Sequence, residues 1–284
     1  MKGKLILVTG GEGFVGMNLC ARLVKDGNRV ISLDNHATSG EGQRIDGVDY
    51  RVGHTKDIAK LISESPDLIY HLAEYSRVEK SFEDIAMVWD LNIVGTFNVL
   101  EFWRQKKCKL VYAGSSTKFA DDGMGRNQSP YAWTKAANTE LVGNYGAWFG
   151  LPFATTYFYN VYGLGERAGD FGTLIEIFRQ KRLRGEKLSI VAPGTQRRNF
   201  THVNDIVAGL ILVGEKGEGD NFGLGNKKDY SVLEVAEMFG GETEILPKRQ
   251  GNRLSSSVDS VRSEALGWKA ECELSEYIRD SLAA

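Results

Sequence analysis

The sequence has little of what marks several common protein classes. Only three of its 284 residues are cysteine, and Cys20, Cys108 and Cys272 lie far apart with no CxxC. That excludes a disulfide-built scaffold and a cysteine zinc site, and it points to a reducing, cytoplasmic setting. Four histidines without HExxH spacing add no metal signal, so no metal is expected. Neither sign of charge is in excess: 35 Lys and Arg face 37 Asp and Glu, a net charge of −2. Nucleic acid is therefore not an expected partner. The basic stretch Arg179–Arg184 reads as one solvated helix face. Long apolar runs are missing too. The longest near the start, Leu5 to Val8, is too short for a signal peptide or a membrane span, so no membrane is expected.

What is present is a chain with 42% hydrophobic and 25% charged residues, which excludes wholesale disorder. Its first half alternates β-rich apolar runs with helical ones. The strands are expected at Leu5–Thr9, Arg29–Asp34, Val48–Gly53, Asp67–Ala73, Lys109–Ser115 and Pro152–Tyr159. Helices are expected at Phe14–Asp26, Lys56–Ser63, Glu83–Lys107 and Pro130–Phe149. Near-continuous apolar strands separated by helices predict an α/β fold, a Rossmann-like doubly wound parallel sheet covered on both faces. After Gly163 the pattern is irregular, with helices near Thr173–Leu183, Asn204–Glu215, Val232–Phe239 and Leu274–Ser281. Residues 1–163 then form a nucleotide-binding domain, rejoined at about 197–215, and residues 164–284 a smaller C-terminal α/β substrate lobe. The substrate belongs in the cleft between them.

The first strand runs into Gly10-Gly11-Glu12-Gly13-Phe14-Val15-Gly16 and then a helix. Without side chains the backbone of such a turn can approach a pyrophosphate, whose charge the amides and the helix N-terminus stabilise. Alone this is a weak signal. The second strand, however, ends at Asp34, 18 residues after Gly16. A carboxylate there accepts hydrogen bonds from ribose hydroxyls and repels a 2′-phosphate, so the expected cofactor is NAD rather than NADP.

Further along, Tyr131 and Lys135 stand four apart, on one face of a helix that opens at Pro130. Upstream, Gly114-Ser115-Ser116-Thr117 closes a strand at its carboxyl end. Tyrosine ionises near pH 10, so a phenolate base at neutral pH needs stabilisation by about 4 kcal/mol. A neighbouring ammonium and a positively charged nicotinamide can provide it. A lone YxxxK commonly decorates a helix; after a serine-ended strand in a glycine-turn fold it reads as a catalytic pair.

These features resemble the extended short-chain dehydrogenase/reductase family, of the NAD-dependent nucleotide-sugar epimerase and dehydratase type. The likeness runs through TGGEGFVG, the LDN of Asp34, HLA at His71–Ala73, NIVGTFNVLE, GSST, YAWTK, NVYG at Asn160–Gly163, RNFTHVND at Arg198–Asp205 and RQGN at Arg249–Asn252. By position, the resemblance implies that Gly10, Gly13 and Gly16, with Phe14 and Val15, hold the cofactor pyrophosphate. It gives the adenosine ribose to Asp34 and Asn35, the flanks of the adenine to Asp57 and Ile58, and a cofactor wall to Leu72 and Ala73. Tyr131 becomes the catalytic acid/base, Lys135 the residue that binds the nicotinamide ribose and makes the tyrosine more acidic, and Ser115 the partner of the reacting hydroxyl. Ser116 and Thr117 join Ser115 at the sugar. Asn160, Arg198 and Arg249 hold the sugar or its diphosphate, a task suited to guanidinium geometry.

The implied chemistry is oxidation at C4 of a nucleotide-diphosphate sugar to a 4-keto intermediate. Returning the hydride to the other face makes an epimerase; releasing the ketone makes a C4 dehydrogenase; losing water makes a 4,6-dehydratase. Dehydratases of this type carry carboxylates just after the catalytic serine, where this chain has Ser116 and Thr117, so epimerisation leads. A non-catalytic NAD-sensing protein on this fold would be expected to lack the Tyr-Lys pair, which is intact. Glu74 after HLA, Lys118-Phe119-Ala120 with the short loop to Ser129, Tyr157 and Asn252 depart from the family pattern and suggest an unusual sugar. Aromatic residues at mixed phases on the helices at 83–107 and 130–149 predict burial beyond the sheet, and the resemblance implies a homodimer through them.

Overall fold

The computed structural model describes residues 1–38, 40, 42–119, 125–169, 172–247 and 258–283, with the side chains of Lys118 and Phe119 excepted. The elements run β1 (Leu5–Thr9), α1 (Phe14–Lys25), β2 (Arg29–Asp34), β3 (Val48–Val52), α2 (Ile58–Leu61), β4 (Leu68–His71), α3 (Ile85–Val88), α4 (Gly95–Lys106), β5 (Lys109–Ser115), α5 (Pro130–Phe149), β6 (Phe153–Phe158) and β7 (Val161–Tyr162). There follow α6 (Leu174–Leu183), β8 (Leu188–Val191), β9 (Arg197–Asn199), β10 (Thr201–His202), α7 (Val203–Lys216), β11 (Gly219–Leu224), β12 (Asp229–Ser231), α8 (Val232–Phe239), β13 (Thr243–Leu246), α9 (Val261–Ala265) and α10 (Leu274–Ala283).

Seven strands form one parallel sheet in the order β11-β6-β5-β4-β1-β2-β3. The order reverses between β1 and β4, so the crevice at the carboxyl ends of those two strands is the natural ligand position. Alternate residues of each strand feed opposite faces. Ile6 and Val8 pack with Leu19, Tyr70, Ile206 and Leu210, beneath α1 and α7. Leu7 packs with Ile31, Ile69, Val99, Trp103 and Val142, beneath α4 and α5. The strands are apolar throughout because both faces are covered.

Beyond Gly163 the chain divides its residues between two cores. α7 and β11 return to the main sheet, while Phe178, Ile190, Val235, Phe239 and Ile278 form a separate apolar cluster. That cluster underlies the smaller lobe, in which β8 pairs with β13 and β9 with β12.

Two helices differ from the sequence expectation. Residues 56–63 shrink to a tight turn at Thr55–Asp57 and the single turn of α2. The helix expected at 83–107 is interrupted by a π-helical segment, Trp89–Val94, between α3 and α4. The wider turn brings Asn92 inward. Its Oδ1 accepts from the Tyr75 amide at 2.7 Å, its Nδ2 donates to Thr134 at 2.9 Å, and its carbonyl accepts from Asn138 Nδ2 at 2.8 Å. π-Segments are often found at functional sites, and this one fastens α4 to α5 beside the cleft.

Candidate active site

A cleft of about 870 Å³ opens at the sheet's switch point and runs from the glycine turn to the smaller lobe. Gly10, Gly13, Phe14, Val15, Gly16, Asp34, Asn35, Leu72 and Ala73 all line it. At Gly10 φ is +75°, and a Cβ would stand 2.9 Å from the Ala73 nitrogen. A Cβ on Gly16 would collide with the Gly10 carbonyl oxygen. The turn is thus pressed against the end of β4 and the start of α1, in a shape that only glycine permits at these two positions. Asp34 is buried and accepts the backbone N–H of Glu12 at 3.1 Å and of His36 at 2.9 Å, one on each oxygen. Each oxygen retains a lone pair for a ribose hydroxyl. A glycine turn on the cleft wall, a helix N-terminus and a fixed carboxylate at the end of β2 together fit a dinucleotide with a free 2′-hydroxyl.

Asp57 and Ile58 are not among the residues that line the cleft. Ile58 is buried in the core with Leu7 and Leu33, and the Asp57 carboxylate turns outward to Lys60 at 2.8 Å. Gly53 and Thr55 line the cleft instead.

Tyr131 and Lys135 both line the cleft. Their helix starts where the sequence placed it, because Ser129 caps it by accepting the Ala132 amide at 3.1 Å and Pro130 occupies the first turn. Tyr131 Oη donates to Ser115 Oγ at 3.1 Å, and Thr117 Oγ1 donates to the same oxygen at 2.9 Å. Thr117 lines the cleft; Ser115 and Ser116 are both buried and neither is part of the wall.

Lys135 is where the structure adds most. Its ammonium is paired with Glu74 and bonded to the Ala113 carbonyl, over the Tyr112 ring at 4.6 Å from the centroid. Both charged side chains are buried, at 6% and 4% exposure. Glu74 also accepts from Thr96 Oγ1 at 2.8 Å, Tyr112 Oη at 3.0 Å and Asn138 Nδ2 at 2.6 Å. Burial pushes its carboxyl up, but the Lys135 charge and the hydrogen bonds from Lys135 and Thr96 outweigh it and hold the group below the usual carboxylate range. Behind it, burial lowers His71 to about 4, so the imidazole is neutral. Thr96 donates its one hydroxyl hydrogen to Glu74, so His71 Nε2 must donate to Thr96 at 2.9 Å. Its Nδ1 therefore accepts from Thr9 at 2.7 Å. Sequence reasoning singled out Glu74 but missed Thr96, Tyr112 and Asn138, whose only signal was membership of apolar-looking strands and helices.

At the sugar end, Asn160 and Arg198 line the cleft. Asn160 has φ +35° and donates to the Asn199 carbonyl at 3.2 Å; Arg198 donates to the Arg197 carbonyl at 2.8 Å. Arg249, Asn252 and positions 120–124 lie outside the described residues. Tyr157 does not line the cleft. It is buried in β6, donates to Asp220 at 2.5 Å, and fills the space left by the absent Cβ of Gly114. Arg77, Glu166 and Arg167 line the cleft without having been expected there. Burial raises the Glu166 carboxyl to about 8, against the Gly163 amide that opposes it, and its Oε1 has no hydrogen-bond partner among the described residues.

Residues 6–225 match the sequence profile of the NAD dependent epimerase/dehydratase family. The chain is 31% identical to a protein of Methanocaldococcus jannaschii provisionally named UDP-glucose 4-epimerase, covering 97% of this chain and 96% of that one. It is 27% identical to UDP-glucuronic acid decarboxylase 6 of Arabidopsis thaliana, over 95% of this chain and 85% of the relative. The solved UDP-glucose 4-epimerase of Thermus thermophilus, in complex with NAD, superposes with a TM-score of 0.88 at 26% identity, covering 98% of each chain.

Proposed function

The chain belongs to the NAD-dependent epimerase/dehydratase family, and from that premise we propose that it is a nucleotide-sugar 4-epimerase. The observation that carries this is the 3.1 Å contact with Ser115 made by Tyr131, which lines a cleft that also holds the glycine turn and Asp34. NAD, held by Gly10, Gly13, Gly16 and Asp34, supplies a hydride acceptor that can also return the hydride. Tyr131 takes the proton of the C4 hydroxyl as the ketone forms and gives it back when the ketone is reduced on its other face. Ser115 orients that hydroxyl, and Lys135 supplies positive charge beside the tyrosine. Asn160, Arg198 and Arg249 are proposed to hold the diphosphate and sugar. Ser116 and Thr117 offer no carboxylate for loss of water, which supports epimerisation over dehydration.

A second reading is supported by Arg77, which lines the cleft and is close enough to Tyr131 for their charges to interact. A guanidinium there suits a sugar carboxylate. A C4 ketone would place that carboxylate β to a carbonyl, from which carbon dioxide leaves readily, as the activity named for the Arabidopsis relative requires.

The functional unit is proposed to be a homodimer in the cytoplasm, acting in carbohydrate biosynthesis. Ile85, Trp89, Phe97, Trp133, Trp148 and Phe149 are exposed on α3, α4, α5 and the π-segment, and Trp89 stacks on Trp133 at 5.9 Å. So much apolar surface on adjacent helices is best covered by a second copy.

Proton NMR of a nucleotide-sugar panel, uronic acids included, with purified protein and no added NAD decides among these readings. Many turnovers to a C4-inverted product support the epimerase. A single equivalent converted, with NADH absorbance on the protein, replaces it with a C4 dehydrogenase. Loss of the carboxylate as carbon dioxide replaces it with the decarboxylase.

A further inference from the structure

Glu74 is a carboxylate with no acceptor capacity to spare. Ionised, it offers about four lone-pair directions. Four groups already donate into it: Thr96, Tyr112, Asn138 and Lys135. It lies on the cleft wall, yet it has nothing left with which to accept a sugar hydroxyl. Among the described residues its one charged hydrogen-bond partner is the lysine of the Tyr131–Lys135 pair, and the bond spans from the turn after β4 to the second turn of α5.

Lys135 has three N–H groups. Glu74 takes one and the Ala113 carbonyl a second, while the Tyr112 ring closes the underside of the ammonium. One N–H is left for the cleft. The positive charge is also no longer alone, because a buried carboxylate touches it, and in a poorly solvated site that opposing charge reaches Tyr131 with little screening. Among the described residues, Tyr112 on β5 and Arg77 in the loop that follows Glu74 also interact electrostatically with Tyr131, Lys80 and Glu166 line the same cleft, and the neutral His71 lies behind Glu74.

We propose that Glu74 is a positioning residue for this active site: it fixes Lys135 to the cleft floor with a single outward N–H and cancels part of the field that the ammonium exerts on Tyr131. The inference rests on the reading of Tyr131 as the proton-transferring residue. Its consequence is that removing the charge of Glu74 favours a negative charge on Tyr131. The depressed carboxyl of Glu74 agrees with this, since it keeps the group ionised throughout the working pH range.

Glu74→Gln keeps the side chain's size and an oxygen for Lys135 but removes the charge. Tyrosinate absorbance is titrated against pH in the unliganded protein, each protein read against its own Tyr131→Phe counterpart so that only Tyr131 contributes. The pH profile of turnover is measured alongside. The expected result is a move of both the titration and the acid limb to lower pH by about 1 unit, a tenfold change in tyrosinate fraction. No movement overturns the proposal. So does movement upward, which would mean that Lys135 had lost its proton and that Glu74 serves to keep it charged. Should Glu74→Gln not fold, Glu74→Asp withdraws the carboxylate while keeping its charge. A smaller shift in the same direction is expected, and coincidence with the unaltered protein overturns the proposal. The titration needs no substrate, so it decides the role of Glu74 even if every sugar tested is unreactive. Full turnover by Tyr131→Phe would instead remove the acid/base reading itself.

Discussion

Tyr131 Oη stands 3.1 Å from Ser115 Oγ, although one residue opens a helix and the other closes a strand 16 positions earlier. The β5 strand delivers Ser115 to the carboxyl edge of the sheet, and the Ser129 cap sets the first turn of α5 against it. Two hydroxyls at this spacing, that of Tyr131 on a cleft wall, can pass a proton to or from a third, that of a bound sugar.

Tyr131→Phe is expected to lower turnover by about 10²–10⁴-fold with little change in melting temperature, since the ring is kept and only the hydroxyl is lost. Ser115→Ala should cost less, because it orients the hydroxyl and leaves the base in place. The comparison is of kcat by NMR and of melting by calorimetry. A Tyr131→Phe protein within threefold of the original rate would rule out the assignment.

Asp34 decides between cofactors in a way that calorimetry can read. Asp34→Ser should weaken NAD binding by about tenfold, the worth of one charge-assisted hydrogen bond, and improve NADP binding by removing the repulsion at the 2′-phosphate. An unchanged ratio of the two dissociation constants would place the ribose elsewhere.

Glu166 predicts how stability depends on pH. Its carboxyl is raised by burial to about 8 from the usual 4.5, so the folded chain holds a proton that the unfolded chain releases. This contribution is complete below pH 4.5 and is lost as pH rises towards 8, on the order of 4 kcal/mol across the window. Glu166→Gln should flatten that slope of unfolding free energy while leaving the curve below pH 4 unchanged. Parallel curves for the two proteins would show that the group ionises normally.

The exposed aromatic face predicts the assembly state. Trp148 is 63% exposed and Trp89 50%, both on the surface proposed to meet a second copy. Sedimentation should give about twice the 31.4 kDa of one chain, and Trp89→Glu with Trp148→Glu should return it to one. A monomer at micromolar concentration before any substitution would refute the dimer.

Much of the fold was legible because its rules are local. Alternation of apolar strands with helices gave the sheet, and β1, β2 and β5 begin and end where their residues said they would. The glycine turn was readable because only glycine tolerates the backbone of Gly10 and the close contact at Gly16. The π-segment was not, since a helix with one wider turn keeps nearly the same apolar pattern.

By itself the sequence determined the sheet, the cofactor end and the Tyr131–Lys135 pair, since each follows from neighbours a few positions apart. Only the tertiary structure decided what Lys135 is bonded to. Glu74 lies 61 residues before it, and Thr96 and Tyr112 come from α4 and β5, while Asn138 stands three positions on along α5 itself. No period of 2 or 3.6 links Lys135 to Glu74, Thr96 or Tyr112. A buried charge takes whatever partners the packed chain brings within 3 Å of it, and that is settled only when the helices close over the sheet.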